Sequence, residues 1–301
     1  MEMSGEMATH PMRIGLLFES DEWSDWHLRD ELSAAGFSVE MIDLADEGAD
    51  TRALSCQALA CRVFASAYER GHEGAVARFE ELLPRIEKAG IPMVNPPRAF
   101  AFETSKRTAS RAAAQAGLDV PAIHLCCPAG ELASRSREKP IPYPAIVKPD
   151  CGGRGADTFI VHDEVELAQA ALSLPPEQEM LVQDYVRPER GFLDRIEIVD
   201  GNAALVFKRS IGDDGLSGYH HGSSYERYTQ APPELLDACQ RAAQALDFIV
   251  GSFDVIENGG SYYFIDFNSV SNVSEDCTEL YGMDLMRAHA KCIARRLGIN
   301  E

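Results

Sequence analysis

The chain has 301 residues, of which 45% are hydrophobic and 25% are charged. This length and composition are typical of a globular protein with one large unit or two to three smaller lobes. The formal net charge is −20, from 48 acidic and 28 basic residues, and a surface of this kind repels phosphate backbones. We therefore expect no nucleic-acid partner.

The sequence carries no signal for a membrane or for export. No apolar run approaches the roughly 20 residues of a membrane helix, and the acidic N-terminal residues lack the apolar core of a signal peptide. The eight cysteines show neither paired metal-binding spacing nor the framework of a small disulfide-rich domain. We expect a cytoplasmic protein with free thiols and no membrane partner.

Residues 12–96 alternate short apolar strands with helices, which indicates a small open α/β domain with a parallel sheet. The predicted strands are 14–18, 37–44, 62–65 and 91–94. The predicted helices are 26–35 and 75–88. Because no Gly-x-Gly-x-x-Gly follows the first strand, we do not expect a dinucleotide site in this domain.

Asn95, Pro96 and Pro97 predict a break in the chain, after which the pattern becomes that of an α+β fold. A helix is expected over 104–116, with Thr104 as its N-cap. In a central lobe, 97–188, the predicted elements are strands 145–148, 159–161 and 180–186 and a helix at 165–172. In a C-terminal lobe, 189–301, they are strands 196–199, 203–208, 250–256 and 261–267 and helices 233–246 and 285–296.

Lys148 lies at a predicted strand end and is followed by three glycines in four positions, Gly152, Gly153 and Gly155. A lysine supplies a point charge to a polyphosphate, and a glycine-rich loop can present its backbone N–H groups without obstruction by side chains. No Gly-Lys-Ser/Thr sequence closes the loop, so it is not a Walker A motif. An ordinary turn between two strands is the alternative interpretation.

Three oxygen-bearing side chains fall on the last predicted hairpin. Asp266 and Asn268 alternate with apolar residues on one strand, and a turn near 258–260 brings Asp254 opposite them. Carboxylates among apolar neighbours are unfavourable unless a cation or basic partner offsets them, and Mg²⁺ prefers oxygen ligands. The pattern therefore favours a magnesium site over a solvated sheet edge.

The strand 180–186 ends in Gln183, Asp184, Tyr185 and Val186. A segment of this kind can hydrogen-bond an adenine through its backbone while an aromatic or aliphatic side chain packs on the ring. Taken alone, an ordinary edge strand explains it better.

The order of these motifs along the chain indicates a protein family more specifically than any single motif does. A helix lysine, Lys106, precedes the lysine and glycine loop of 148–155, the strand ending in 183–186 and the closing Asp…Asp-x-Asn hairpin. This arrangement resembles the ATP-grasp superfamily, in particular the RimK-like carboxylate–amine ligases, over residues 97–290. The resemblance implies the ATP-grasp fold, with residues 12–96 as the preceding α/β (pre-ATP-grasp) domain, ATP between two α+β lobes, and one or two Mg²⁺ ions.

The resemblance also implies roles for individual residues. The nucleotide would be bound by Lys106, Lys148, Gly152, Gly153, Gly155, Gln183, Asp184, Tyr185 and Val186. The metal would be bound by Asp254, Asp266 and Asn268. The transferring phosphoryl group or the acyl phosphate would be steadied by Arg195 or Arg209.

Several positions depart from the family's pattern. Asp266 stands where many relatives have Glu. Asp194 directly precedes Arg195, whereas the family has one residue between the Asp and the Arg, so a ribose contact by Asp194 is doubtful. Histidines replace the family's basic and amide residues in the loop that follows. His220 or His221 would orient the acyl phosphate or accept a proton from the amine, unless both are solvated loop residues.

In the N-terminal domain, Arg62 and residues 66–72 follow a predicted strand, where ligands of open α/β sheets gather. They could recognise substrate or form a surface loop. Trp23 and Trp26 begin the first helix and are expected to pack or, less simply, to face a substrate.

The predicted activity is ATP-dependent joining of a carboxylate to an amine through an acyl phosphate. We expect amino acids or a small metabolite as substrates, possibly a peptide, and a homodimer. The alternatives are an enzyme that tailors a ribosomal peptide, an ATP-binding regulator without turnover, and an α/β metabolite-binding protein.

Overall fold

A computed structural model describes residues 11–152, 155, 157–218 and 222–299, and within these ranges the chain forms three β-sheets and ten α-helices. No helix in the described ranges is both long and apolar enough to cross a membrane. His221 and Gly153, two predicted site residues, lie outside the described residues, as does His220.

The first sheet is fully parallel, with strand order β2-β1-β3-β4. Its strands are β1 (Arg13–Phe18), β2 (Ser38–Asp43), β3 (Ala58–Arg62) and β4 (Met93–Val94). The helices that connect them are α1 (Trp23–Ala34), α2 (Ala49–Leu54) and α3 (Glu73–Ala89). The parallel α/β pattern predicted for this part of the chain is confirmed.

The predicted third strand, 62–65, was wrong. The strand is Ala58–Arg62, and Ala65–Arg70 forms a 3₁₀ turn beyond its end. The strand Ala58–Arg62 contains two alanines and no β-branched or aromatic residue, so its β-propensity is weak although Ala58 and Leu59 are fully buried.

The second sheet is antiparallel, with strand order β5-β8-β6-β7. Its strands are β5 (Ile123–Pro128), β6 (Ala145–Pro149), β7 (Phe159–Val161) and β8 (Glu179–Asp184). The helices of this part are α4 (Pro97–Glu103), α5 (Lys106–Gln115), α6 (Leu132–Glu138) and α7 (Glu164–Leu172). The strand β5 and the helices α4 and α6 were not predicted.

The predicted N-cap of α5, Thr104, was also wrong. Ser105 caps the helix, because its Oγ accepts a hydrogen bond of 3.1 Å from the backbone N–H of Thr108. The hydroxyl of Thr104 instead donates to the carbonyl of Phe100, in the last turn of the preceding helix.

The third sheet is antiparallel, with strand order β11-β10-β9-β12-β13. Its strands are β9 (Phe192–Val199), β10 (Asn202–Ser210), β11 (Tyr225–Arg227), β12 (Val250–Asn258) and β13 (Ser261–Asn268). The remaining helices are α8 (Pro233–Leu246), α9 (Cys277–Tyr281) and α10 (Leu285–Arg296).

Strand alternation divides the third sheet into an apolar and a polar face. Ile196 and Phe253 are fully buried in a cluster with residues of α5 and α8. Their neighbours Arg195, Glu197 and Asp254 point to the opposite face, where they line a cavity. The sheet therefore carries Arg195, Glu197 and Asp254 on the face that lines the cavity.

Asn95 joins the end of the first sheet to the third. Its side chain is buried and donates to the carbonyls of Val250 and Ser269, both at 2.8 Å. It also accepts from the backbone N–H groups of Ile249, at 2.7 Å, and Val250, at 3.0 Å. These four hydrogen bonds fix the predicted chain break against the strand that carries Asp254.

Candidate active site

A cavity of about 720 Å³ lies where segments of the three sheets meet. All predicted site residues within the described ranges line it: Lys106, Lys148, Gly152, Gly155, Gln183, Asp184, Tyr185, Val186, Arg195, Arg209, Asp254, Asp266 and Asn268. A volume of this size can hold a nucleotide together with part of a second ligand.

The two lysines are positioned by backbone contacts. Nζ of Lys148, at the end of β6, donates to the carbonyl of Ile265 at 2.8 Å, and Nζ of Lys106 donates to the carbonyl of Gly152. Asp150 holds α5 beside β6, because its side chain accepts hydrogen bonds from Ser105 Oγ at 2.9 Å and from the N–H of Arg107 at 2.8 Å. Both ammonium groups are thereby held in the same cavity.

Burial lowers the pKa of the Lys148 ammonium to about 8. Asp266 opposes this shift, and the nearby charge of Lys106 adds to it. A phosphate placed between two ammonium groups would relieve their mutual repulsion, so the pair suits an anionic ligand.

Gly152 begins the described part of the glycine loop and has a backbone conformation, φ +137°, that favours glycine. A Cβ at this position would lie 2.6 Å from Oε1 of Glu69, in the first part of the chain. The loop therefore closely approaches the end of the Glu69 side chain, in the 3₁₀ turn Ala65–Arg70.

The strand end at Gln183–Asp184 forms one wall of the cavity. The N–H of Asp184 donates to the carbonyl of Ala122 at 3.0 Å, and its carboxylate lies 2.6 Å from Nε2 of His124. The N–H of Tyr185 donates to the carbonyl of Pro144 at 3.4 Å. These contacts fix the backbone of the segment, while Gln183 is almost fully buried.

The last hairpin brings the predicted metal ligands together. Asp254 of β12 and Asp266 of β13 are direct register partners, and a bulge between Asp254 and Val255 leaves Ile265 without an opposite residue. This bulge turns the carbonyl of Ile265 to Lys148. Asp266 lies 3.9 Å from Nζ of Lys106, so the hairpin and both lysines form one cluster.

Asp254 is held by two arginines. Its carboxylate accepts from Nη2 of Arg209 at 2.7 Å and from Nη1 of Arg195 at 3.3 Å. Burial alone would raise the pKa of Asp254, but Arg209 and Arg195 outweigh burial and lower the pKa. Nε of Arg209 also donates to Ser217 Oγ at 3.0 Å, which fixes the guanidinium plane.

Two buried acids in this region were missed by sequence reasoning. Glu197 accepts from Nε of Arg195 at 3.0 Å and from Oγ of Ser271 at 2.6 Å. Glu103 accepts from the N–H of Ala65 at 2.9 Å and from Ser269, and burial raises its pKa. Arg195 and Glu197, two residues apart on an apolar strand, were the one signal in the sequence that could have identified Glu197.

The hairpin offers the donor set that Mg²⁺ requires. Asp266 keeps about a quarter of its side-chain surface exposed and has only the long contact to Lys106 as an ion pair among the described residues. Asn268 lines the same cavity, and its Nδ2 is buried without a hydrogen-bond partner in the described part of the chain. The carboxylate of Asp266 and the amide of Asn268 thus lie beside the carboxylate of Asp254, and oxygen ligands of this kind fit a magnesium ion.

Asp194 points away from the cavity, on the face of the third sheet that packs on α8. It pairs in register with Lys208 and Val255, it is 1% exposed, and its Oδ1 has no hydrogen-bond partner within the described ranges. Burial raises the pKa of its carboxyl group to about 7, and Glu257 adds to the shift. The doubt about a ribose contact by Asp194 agrees with this placement.

The N-terminal part contributes Glu22, Trp23, Phe64 and Ser66 to the cavity lining. Arg62 is 2% exposed and forms an ion pair with Asp25, so it supports the cavity wall from behind.

Comparison with known proteins gives the same fold. A family model described as the RimK-like ATP-grasp domain matches residues 104–293. A D-alanine–D-alanine ligase of Pediococcus pentosaceus is 29% identical over 146 residues, which are 44% of this chain and 40% of the relative. The chain thus spans less than half the length of this curated relative.

Among solved structures, a RimK-domain ATP-grasp protein from Sphaerobacter thermophilus has a TM-score of 0.69 and 20% identity, covering 93% of this chain and 98% of that one. D-cycloserine synthetase DcsG has a TM-score of 0.69 and 16% identity, with 95% and 99% covered. The D-alanine–D-alanine ligase of Bacillus anthracis in complex with ATP has a TM-score of 0.69 and 15% identity, with 96% and 98% covered. These likenesses confirm the predicted ATP-grasp fold.

Proposed function

The chain belongs to the family of RimK-like ATP-grasp domains, and from this premise we propose that it is an ADP-forming carboxylate–amine ligase. Its substrates would be a small carboxylate and an amine, most simply two amino acids. A peptide could take the place of either amino acid. ATP would be the phosphoryl donor, and Mg²⁺ would be the metal cofactor.

The observation that carries the proposal is the meeting of two lysines, two arginines and the acid–amide hairpin in one cavity. Lys106 and Lys148 lie beside Asp266, and Arg195 and Arg209 lie beside Asp254. Phosphoryl transfer depends mainly on positioning and on stabilising charge, and these groups supply both.

In the first step, an oxygen of the substrate carboxylate attacks the γ-phosphorus of ATP. The bond from that phosphorus to the β–γ bridging oxygen breaks, and ADP leaves with the electron pair. Lys106 and Lys148 would hold the phosphates, with the loop at Gly152 beside them. Magnesium held by Asp266, Asn268 and Asp254 would neutralise charge on the phosphate oxygens.

In the second step, the amine nitrogen attacks the acyl carbon and the bond from that carbon to the phosphate oxygen breaks. The nitrogen loses a proton to give the amide, and inorganic phosphate leaves carrying that proton as hydrogen phosphate. Arg195 and Arg209 would stabilise the acyl phosphate and the departing phosphate, because their planar guanidinium groups match its oxygens. The closed walls of the cavity would exclude water that hydrolyses the intermediate.

Substitution of Asp266 tests the metal assignment. Asp266→Asn retains the shape of the side chain and removes its charge, and we expect at least a ~100-fold loss of magnesium-dependent ADP release. Asp30→Asn, on the exposed surface of α1, is the matched control and should retain activity. Unchanged ADP release in Asp266→Asn would show that Asp266 is not a metal ligand.

A further inference from the structure

One end of the cavity is lined by apolar side chains. The apolar side chains that line it are Trp23, Phe64, Val273 and Leu280. Tyr281 also lines the cavity, and its ring centroid lies 4.3 Å from that of Phe207. This end is the part of the cavity that the proposed roles of the nucleotide and metal ligands leave unused.

The three segments that form this end are tied together by polar contacts. Oγ of Ser24 donates to Oδ1 of Asn272 at 2.8 Å and accepts from Nη2 of Arg62. Nη1 of Arg62 donates to the carbonyl of Ser271 at 2.8 Å, and its guanidinium lies 5.0 Å from the ring centroid of Phe64. The residues next to these contacts, Trp23 and Val273, are therefore held at fixed places on the cavity wall.

Leu280 adds an exposed apolar surface to the wall that Trp23, Phe64 and Val273 form. It is one of five large hydrophobic side chains that are exposed among the described residues, and the other four do not line the cavity. The short helix α9 turns Cys277, Leu280 and Tyr281 to one side, at i, i+3 and i+4, and 53% of Leu280 remains exposed. A cavity wall formed by several apolar side chains is typical of a surface that an apolar ligand group covers.

The charges at this end disfavour a second carboxylate on the ligand. Glu22 and Asp276 also line the cavity, but the carboxylate of Glu22 is paired with Arg70 at 3.2 Å, so Asp276 is the acidic group to consider here. A carboxylate beside an apolar wall favours an ammonium group and repels a carboxylate side chain.

We propose that this end binds an amino-acid substrate with a large apolar side chain, such as leucine or phenylalanine. The inference rests on the proposed ligase function, which it makes specific. The α-ammonium group would lie on the side of Asp276, and the α-carboxylate would point along the cavity to the arginines and the phosphates. The side chain would cover Leu280 and Trp23.

Equilibrium binding of labelled amino acids in the presence of a non-hydrolysable ATP analogue tests this without turnover. We expect leucine and phenylalanine to bind at least ~10-fold more tightly than alanine or glutamate, since one missing methylene in an apolar pocket changes binding about 10-fold or more. Leu280→Ser should weaken leucine binding about 10-fold and leave binding of the nucleotide analogue within about 2-fold. Leu172→Ser is the matched control, since Leu172 is 88% exposed and lies outside the cavity.

Two outcomes overturn the proposal: glutamate binding as tightly as leucine, or equal leucine binding by Leu280→Ser and the parent protein. ADP release measured on the same panel separates the two proposals. Leucine binding that depends on Leu280, without ADP release, would support the apolar site and contradict the ligase function. ADP release with glutamate as the preferred substrate would support the ligase and contradict the apolar site.

Discussion

Oδ2 of Asp254 accepts a hydrogen bond of 2.7 Å from Nη2 of Arg209, and both side chains are buried. Because the two arginines lower the pKa of Asp254, the pair favours the ionised carboxylate and fixes its orientation in the cavity wall. The guanidinium in turn is directed by Ser217. Arg209 thus both binds the carboxylate of Asp254 and contributes positive charge to the cavity.

The first prediction concerns Arg209. In Arg209→Lys a single ammonium replaces a fork that contacts Asp254 and Ser217 at once, and we expect kcat to fall about 10- to 100-fold with a smaller change in ATP binding. Steady-state ADP release measures it. Arg190→Lys, in an exposed pair with Glu257 outside the cavity, should change kcat less than about 2-fold. Equal effects of the two substitutions would contradict a role for Arg209 in the reaction.

The second prediction is a pH dependence of stability that comes from Asp194. Burial raises the pKa of its carboxyl to about 7 in the folded protein, from 3.8. The folded state therefore holds a proton that the unfolded state has lost between these pH values. The stability contribution of this group is full below pH 3.8 and is lost as the pH rises to about 7.

Asp194→Asn removes this titration, so above pH 7 the variant should be more stable by roughly 2–4 kcal/mol. The advantage should shrink as the pH falls from 7 towards 4. Urea unfolding at several pH values measures it, with the exposed Asp30→Asn as control. Because Asp194 faces away from the cavity, ADP release should not change. An advantage that is constant from pH 4.5 to 8 would show that the carboxyl does not titrate in this range.

The third prediction concerns the close contact at Gly251. A Cβ there would lie 2.3 Å from the carbonyl oxygen of Asn268, and the residue has φ +143°. Gly251→Ala should therefore separate β12 from β13 beside Asn268, with a loss of roughly 2–4 kcal/mol of stability and of ADP release.

Gly259→Ala is the control, because Gly259 also has a positive φ, +61°, but no atom lies within 4 Å of the place that an added methyl group would occupy. We expect it to lose only about 1 kcal/mol and to keep its activity. If both glycine substitutions had the same effect on urea unfolding, backbone conformation alone would explain them and the contact with Asn268 would not matter.

The fourth prediction separates stability from substrate positioning at Arg62. The double substitution Asp25→Leu with Arg62→Met replaces a buried ion pair by apolar groups, which is often neutral for stability, whereas Arg62→Met alone leaves Asp25 unpaired and should cost about 3–5 kcal/mol. The double variant should fold and bind ATP normally. Its KM for the carboxylate substrate should rise about 10-fold, because Ser271 and Ser24 lose the donor that holds them. An unchanged KM in the folded double variant would restrict Arg62 to a structural role.

Sequence reasoning was most successful where one face of an element is apolar and the other polar. The alternation at Asp266 and Asn268 correctly predicted the strand of the last hairpin, and the strong periodicity of 233–246 correctly predicted the bounds of α8. It failed where the signal was local and ambiguous. The prolines at 96 and 97 indicated a break, but Pro97 is the first residue of α4, a position that suits proline.

The partners of the buried acids could not be predicted, because they lie on distant segments. Glu197 is 74 residues from its partner Ser271, and Glu103 is 166 residues from Ser269. The alternation of Arg195 and Glu197 could have placed Glu197 on the polar face of its strand, but no local pattern identifies these partners. The roles of the individual site residues and the division of the chain at 12–96, 97–188 and 189–301 stay predictions.

Isotope transfer tests the acyl-phosphate reaction most directly. With ATP, Mg²⁺, an amine and a carboxylate labelled with ¹⁸O in both oxygens, mass spectrometry of the released phosphate reports which bond was broken. If the carboxylate oxygen attacks the γ-phosphorus, each phosphate released with an amide carries one ¹⁸O, in equal amount to ADP. Unlabelled phosphate, or release of AMP and pyrophosphate, would contradict the proposed ligase mechanism.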